Sequence, residues 1–333
     1  MTVRHILVTG ATGGLGGAVV REVLERGHRV RATGRSREAG RELRALGAEF
    51  VAADLVDDST DIAALLAGCH SVIHAAGFSA SWGPPERFER ANVTATRRLL
   101  EAAEAAGLER FVFVSSPSIY AAHRDRVSIP EGAAPTLPPL NDYARTKLAA
   151  ERFVLAPRNS DIACCAIRPR ALVGDGDRVI LPRLAEFARR RVMPLPGGGR
   201  AMIELTDLRD AAWAICEAEA RAPDIAGKGI NVSGGRPVPI GKLALRLADA
   251  LGEKPRLVSI PLPVARALAV TLEKVALWRG SEDEPVMTRY TLGTLGWSQT
   301  FDLAPAERLL GYRPRYDANE TVLAEARKLA GAA

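Results

Sequence analysis

Aromatic residues are scarce in this 333-residue chain, at 5%. Its core must therefore be assembled from Ala, Val, Leu and Ile, and the hydrophobic fraction of 47% supplies enough of them. Cysteine is scarcer still. The four cysteines, Cys69, Cys164, Cys165 and Cys216, show no C-x-x-C spacing, and there are five histidines. Neither a disulfide framework nor a metal centre is expected. Cys164 and Cys165 adjoin in an apolar run, so in a strand they should face opposite sides. No targeting segment is expected, because Met1-Thr2-Val3-Arg4-His5 leads straight into a strand-like stretch. The most apolar later stretch, Leu257 to Trp278, is broken by Pro261, Pro263, Arg266, Glu273 and Lys274. It is not expected to span a bilayer. These absences point to a cytoplasmic protein without stable membrane insertion. The net charge is +6, but the basic residues are scattered and no aromatic–basic face interleaves them. Nucleic acid is therefore not an expected partner.

What is present is an alternation of strands and helices. Short apolar runs at His5 to Thr9, His28 to Thr33, Glu49 to Ala52, Ser71 to His74, Phe111 to Ser115 and Ile162 to Ile167 predict six strands. Helical patterns lie between them, including Phe88 to Ala106. Strands apolar along their whole length are those buried on both faces. The order predicts an α/β fold, a doubly wound parallel sheet of Rossmann type. After residue 170 the rhythm loosens. Prolines and glycines accumulate, one further strand-like run stands at Gly229 to Val232, and helical segments dominate from Ile240 to Leu251, Val264 to Trp278 and Asn319 to Leu329. The expected division is a dinucleotide-binding domain over residues 1–170, with a strand returning to it near 229–232. A smaller, mostly helical substrate-binding portion follows over 171–333.

Three motifs carry chemistry. The turn Thr9-Gly10-Ala11-Thr12-Gly13-Gly14-Leu15-Gly16 closes the first strand and opens a helix. Glycines there let the backbone approach a pyrophosphate, and the exposed N–H groups of the helix start bind the anion. At the end of the second strand, Gly34-Arg35-Ser36 holds no carboxylate for a ribose 2′-hydroxyl. Arg35 offers a charged fork and Ser36 a hydroxyl, which favours the 2′-phosphate of NADP(H), with NAD(H) as second choice. Tyr143 and Lys147 are four apart and share a helical face. A free tyrosine titrates near ~10. One ammonium at ~5 Å, with an effective dielectric of ~20, favours the phenolate by about 3 kcal/mol, roughly two pKa units. That places Tyr143 in range for acid/base work. Ser115 and Ser116 sit at the carboxyl end of the fifth strand, where ligands of such sheets bind, and should point different ways.

Together these features resemble the extended short-chain dehydrogenase/reductase family over nearly the whole chain. Asp54-Leu55, His74-Ala75-Ala76-Gly77, Asn92-Val93 and Ile167-Arg168-Pro169 follow in that family's order. The resemblance implies that Tyr143 is the proton donor/acceptor. It implies that Lys147 holds the nicotinamide ribose and that Ser116 polarises the substrate oxygen. Gly10, Thr12, Gly13, Gly14, Leu15, Gly16, Arg35, Ser36, Asp54, Leu55, Ala75, Ala76, Gly77, Asn92 and Pro169 would line the cofactor, together with Tyr143 and Lys147. Ser79, Trp82, Ser118 and Arg170 are the candidate substrate contacts.

Within the family, Ser81-Trp82-Gly83, Pro285-Val286-Met287-Thr288-Arg289, Phe301-Asp302 and Leu310-Gly311-Tyr312-Arg313-Pro314 are similar to the branch of 3β-hydroxysteroid dehydrogenases and 2-alkyl-3-ketoalkanoate reductases. The expected substrate is a small hydrophobic ketone or alcohol. Nucleotide-sugar epimerases and dehydratases of the same family are the alternative, but they carry an Asn for the sugar-nucleotide phosphate where this chain has Ala171. A non-catalytic NADP-binding regulator is the alternative of another class, and the presence of Ser116, Tyr143 and Lys147 together argues against it. Oligomeric state stays open, a homodimer being the assembly considered.

Overall fold

In the computed structural model, which describes residues 2–177 and 179–331, seven parallel strands form the central sheet. They are β1 (His5–Thr9), β2 (Arg29–Gly34), β3 (Glu49–Ala52), β4 (Ser71–His74), β5 (Arg110–Val114), β6 (Ala163–Pro169) and β7 (Gly229–Val232). Their order across the sheet is β7-β6-β5-β4-β1-β2-β3. The order reverses beside β1, so the crevice between the ends of β1 and β4 is where a doubly wound sheet takes its ligand. Four of the seven strands keep the boundaries expected from their apolar runs, and the other three shift by one or two residues at their ends.

Alternation along each strand feeds two cores. Ile6 and Val8 face one side of the sheet with Val112, Cys165 and Ile167, while Leu7 faces the other with Val72, Phe111, Phe113 and Cys164. The adjacent cysteines thus split between faces, as the period of two demands. Burying each such Val, Leu or Phe contributes roughly 1.5–3 kcal/mol.

The division at residue 170 is less clean than expected. Helix Leu208–Ala220 packs against helix Gly14–Glu25, and its Ala212, Ile215 and Ala218 join the first core. Ala306, Leu310 and Tyr312, from much further along, do the same. The Ala-rich face of Leu208–Ala220 lets two helices approach closely, and that preference has no signature in a strand–helix count.

The second body is built on its own core of Leu181, Met193, Ile203, Leu243, Leu247 and Val322. It contains short strands besides helices, among them Val192–Pro196 paired in parallel with Arg256–Ile260. Helices still predominate in it, from Ile180–Ala188 to Ala318–Gly331, in line with the mostly helical portion expected. No helix among the described residues is long and apolar enough to cross a membrane.

Candidate active site

A cleft of about 1480 Å³ opens along the carboxyl ends of the strands, between the sheet and the second body. Its floor is the glycine turn. Gly10 has φ +65°, and a Cβ there would lie 2.7 Å from the Ala76 nitrogen. Only glycine allows this turn to nest against the end of β4. A Cβ on Gly16 would strike the Gly10 carbonyl. Helix Gly14–Glu25 starts at Gly13 without any side-chain cap and without an acidic residue in its first turn. Its leading N–H groups and the positive end of its dipole are left for an anion. The residues present therefore fit a dinucleotide, with the pyrophosphate over Gly13 and Gly14. Arg35 is exposed and lines the same cleft with Ser36, Asp54 and Leu55. Ser36 also caps helix Arg37–Ala45 by accepting from the Ala39 nitrogen at 3.2 Å.

A buried polar chain braces the next layer. The Thr9 hydroxyl meets His74 Nδ1 at 2.7 Å and accepts from the Ala76 nitrogen. The other ring nitrogen of His74 meets Thr96 at 2.9 Å, and Thr96 donates to the Asn92 carbonyl. Burial, with the Lys147 charge adding to it, depresses the His74 pKa to about 3, so the ring stays neutral. The Asn92 amide is fully committed. Its oxygen accepts from the Phe78 nitrogen at 2.7 Å, and its nitrogen donates to the Phe78 carbonyl and to Thr146. Asn92 borders the cleft, but its polar atoms hold the loop after β4 against the helix carrying Tyr143. It lies in a π-helical turn, Glu89–Thr94, that splits the single helix expected over residues 88–106. The extra residue per turn is a local device found often near functional sites.

Ser116 ends the extended segment after β5 and caps the turn Pro117–Tyr120. Helix Asp142–Leu155 brings Tyr143 and Lys147 to the same cleft. Its N-terminus is capped by Asn141, which accepts from the Ala144 nitrogen at 2.9 Å. Lys147 is buried, donates to the Val114 carbonyl at 2.5 Å and lies 4.3 Å from the Phe113 ring centroid. Burial pulls its pKa down to about 7, against the opposing charge of Glu151. Burial likewise raises the Tyr143 hydroxyl, and the neighbouring Ser116 hydroxyl pulls it the other way. The lowering of Tyr143 by Lys147 that the spacing suggests is not among the causes acting on the hydroxyl here, which are burial and Ser116. In this structure the ammonium is directed at Val114, and a pKa near 7 leaves it only partly protonated at neutral pH.

The helix is anchored by a second, fully buried pair. Arg168 makes two hydrogen bonds to Glu151, at 2.5 and 2.8 Å, and a third to the Tyr120 hydroxyl at 2.7 Å. β6, the catalytic helix and the serine turn are locked together there.

Two expected substrate contacts stand elsewhere. Ser118 is buried in the tight turn after Ser116 and does not line the cleft, because a turn of only four residues rotates it inward. Trp82 also stands off the cleft wall and donates its indole N–H to the Ser281 carbonyl at 3.1 Å, tying two loops together. Ser79 and Arg170 do line the cleft. Sequence reasoning missed Tyr290, Arg183 and the Gly176 loop, whose carbonyl sits against Gly14. The Gly174-Asp175-Gly176 run was a visible signal for that loop. Tyr290 had none.

Residues 6–233 match the model of the NAD dependent epimerase/dehydratase family. The chain belongs to that family. Like other members of the extended short-chain dehydrogenases/reductases, it is an NAD(P)-dependent oxidoreductase acting on CH–OH or ketone groups. Among relatives in the NAD dependent epimerase/dehydratase family, it is 36% identical over 315 residues to the uncharacterised protein YbjS of Escherichia coli (strain K12), covering 93% of each chain. It is 34% identical over 322 residues to the 2-alkyl-3-oxoalkanoate reductase of Stenotrophomonas maltophilia (strain K279a), covering 95% of this chain and 96% of the relative. The solved structure of gox2253 shares the fold with a TM-score of 0.79 and 27% identity, covering 99% of each chain.

Proposed function

We propose that the protein reduces a hydrophobic ketone to a secondary alcohol with NADPH, the ketone being a 2-alkyl-3-ketoalkanoate or the 3-ketosteroid that corresponds to a 3β-hydroxysteroid. The observation that carries this reading is that Ser116, Tyr143 and Lys147 line one cleft together with an apolar set of side chains. Leu184, Phe187, Leu195 and Leu268 contribute to that set. The name of the Stenotrophomonas relative, at 34% identity, supports the same substrate class. In this reading Ser116 and Tyr143 hydrogen-bond the ketone oxygen, and Tyr143 donates its proton to it. Lys147 holds the ribose and supplies charge near the phenol. The bound nicotinamide supplies the hydride and, once oxidised, a positive charge that favours the phenolate. Arg35 at the rim of the cleft supports the choice of NADPH, since it can pair with a 2′-phosphate. Ala171, in place of an amide, speaks against a nucleotide sugar.

The test is purified Tyr143→Phe protein. Ketone-dependent NADPH oxidation should fall by at least ~100-fold, the range expected for loss of a positioned general acid. NADPH binding, followed by nucleotide fluorescence, should persist. Near-full turnover in that variant would remove the assignment.

A further inference from the structure

One buried cation in the cleft is unused by the reaction just described. Arg170 follows β6 directly. Its backbone is pinned on both sides, its N–H donating to the Val232 carbonyl at 2.9 Å and its carbonyl accepting from Thr206. The next residue, Ala171, has φ +38°, a left-handed conformation that a non-glycine residue adopts at a cost. The chain thus holds a strained backbone at the point where the Arg170 side chain enters the cleft.

That side chain is 8% exposed and lines the cleft. Its Nε is buried without a hydrogen-bond partner, and no carboxylate among the described residues pairs with its guanidinium. Glu204 is the acid whose field reaches it, but that carboxylate accepts a bond of 2.5 Å from the Ser233 hydroxyl, and burial raises its pKa. Arg168, two residues earlier, shows the ordinary solution for a buried arginine, with three hydrogen bonds to the side chains of Glu151 and Tyr120. A buried guanidinium without a matching anion is expensive, and proteins keep one where a ligand completes it. Tyr290 lies close enough to both Tyr143 and Arg170 for each to shift its hydroxyl. The unmatched cation, Tyr290 and Tyr143 all line the same cleft.

We propose that Arg170, assisted by the Tyr290 hydroxyl, is a carboxylate anchor that selects free 3-keto acids over their esters and over neutral sterol ketones. The inference rests on the ketone-reductase reading above and deepens it. In a 3-keto acid a single carbon separates the ketone from the carboxylate. A carboxylate paired with Arg170 brings the ketone oxygen toward Tyr143 and Ser116, and the alkyl chains lie along the apolar side chains. The redox balance is that of simple reduction. The ketone carbon receives the hydride from reduced nicotinamide, its oxygen receives the Tyr143 proton, and the carboxylate leaves unchanged. One buried guanidinium suits a single carboxylate better than a diphosphate, which takes several donors.

The experiment compares wild type with Arg170→Met and Arg170→Lys on a 2-alkyl-3-ketoalkanoate and its methyl ester, with NADPH binding measured separately. For the acid, kcat/KM should fall about 100-fold or more in Arg170→Met, the range for truncating one side of a buried charged pair. The ester should change by less than about threefold, and Arg170→Lys should recover part of the acid activity. Equal losses for acid and ester, or no loss for either, would overturn the anchor. A second measurement needs no turnover. Calorimetric binding of the saturated 2-alkylalkanoate to the NADPH complex should be present in wild type and absent in Arg170→Met. It separates failure of the anchor from failure of the ketone-reductase reading. Displacement of that acid by UDP in wild type would assign Arg170 to a diphosphate instead.

Discussion

The two walls of the cleft follow opposite rules. On the wall formed by β1, β4, β5 and the helix carrying Tyr143, the buried imidazole, amide and guanidinium groups are completed within the protein, while the Ser115 hydroxyl is not. His74 is bonded at both nitrogens, the Asn92 amide is bonded at both ends, and Arg168 is neutralised by Glu151. Among the segments after β6, Arg170 is buried with its Nε unpartnered and with no ion pair among the described residues. A completed polar network is rigid and serves any ligand that fits its shape, as a cofactor shared by a family requires. An incomplete one carries a standing cost that one particular ligand removes.

Breaking the completed wall should have the largest effect. Glu151→Gln leaves the Arg168 charge buried and poorly matched, and it should lower unfolding stability by about 3–5 kcal/mol in urea titrations. A loss below ~1 kcal/mol would mean that this pair does not brace the wall. Among the segments after β6 the sign reverses. Arg170→Met removes a desolvated charge, so it should stabilise the protein by about 1–2 kcal/mol while it loses the keto acid, the exchange of stability for function common at binding sites. Destabilisation by the same change would show that Arg170 is structurally completed after all. The smallest effect should be at the exposed rim. Arg35→Ala should weaken NADPH about tenfold, ~1.4 kcal/mol, and leave NADH nearly unchanged. The difference should narrow as salt is raised. Equal weakening of both nucleotides would remove the argument for NADPH.

The completed wall was also the legible one. Strands such as Ser71–His74 and Gly229–Val232 were readable because burial on both faces makes a short run apolar throughout. The glycine turn was readable because a backbone packed this closely excludes a Cβ, as at Gly10. Tyr143 and Lys147 were readable through helical spacing, yet their electrostatics were not. Burial governs both groups, and burial depends on what packs over them. Ser118 and Trp82 were misplaced because a motif reports which residues are present and says nothing of which way a tight turn rotates them.

The sequence by itself determined the doubly wound sheet, and it marked the glycine turn and the pair Tyr143 and Lys147 that line the cleft. Each rests on local periodicity, on glycine sterics or on a spacing of four. Only the tertiary structure decided that Leu208–Ala220 returns to the first core, that Asn92 braces a loop, and that Arg170 is buried with its Nε unpartnered. Those three facts depend on contacts between residues far apart in the chain, and no local pattern encodes the distance at which two such residues meet.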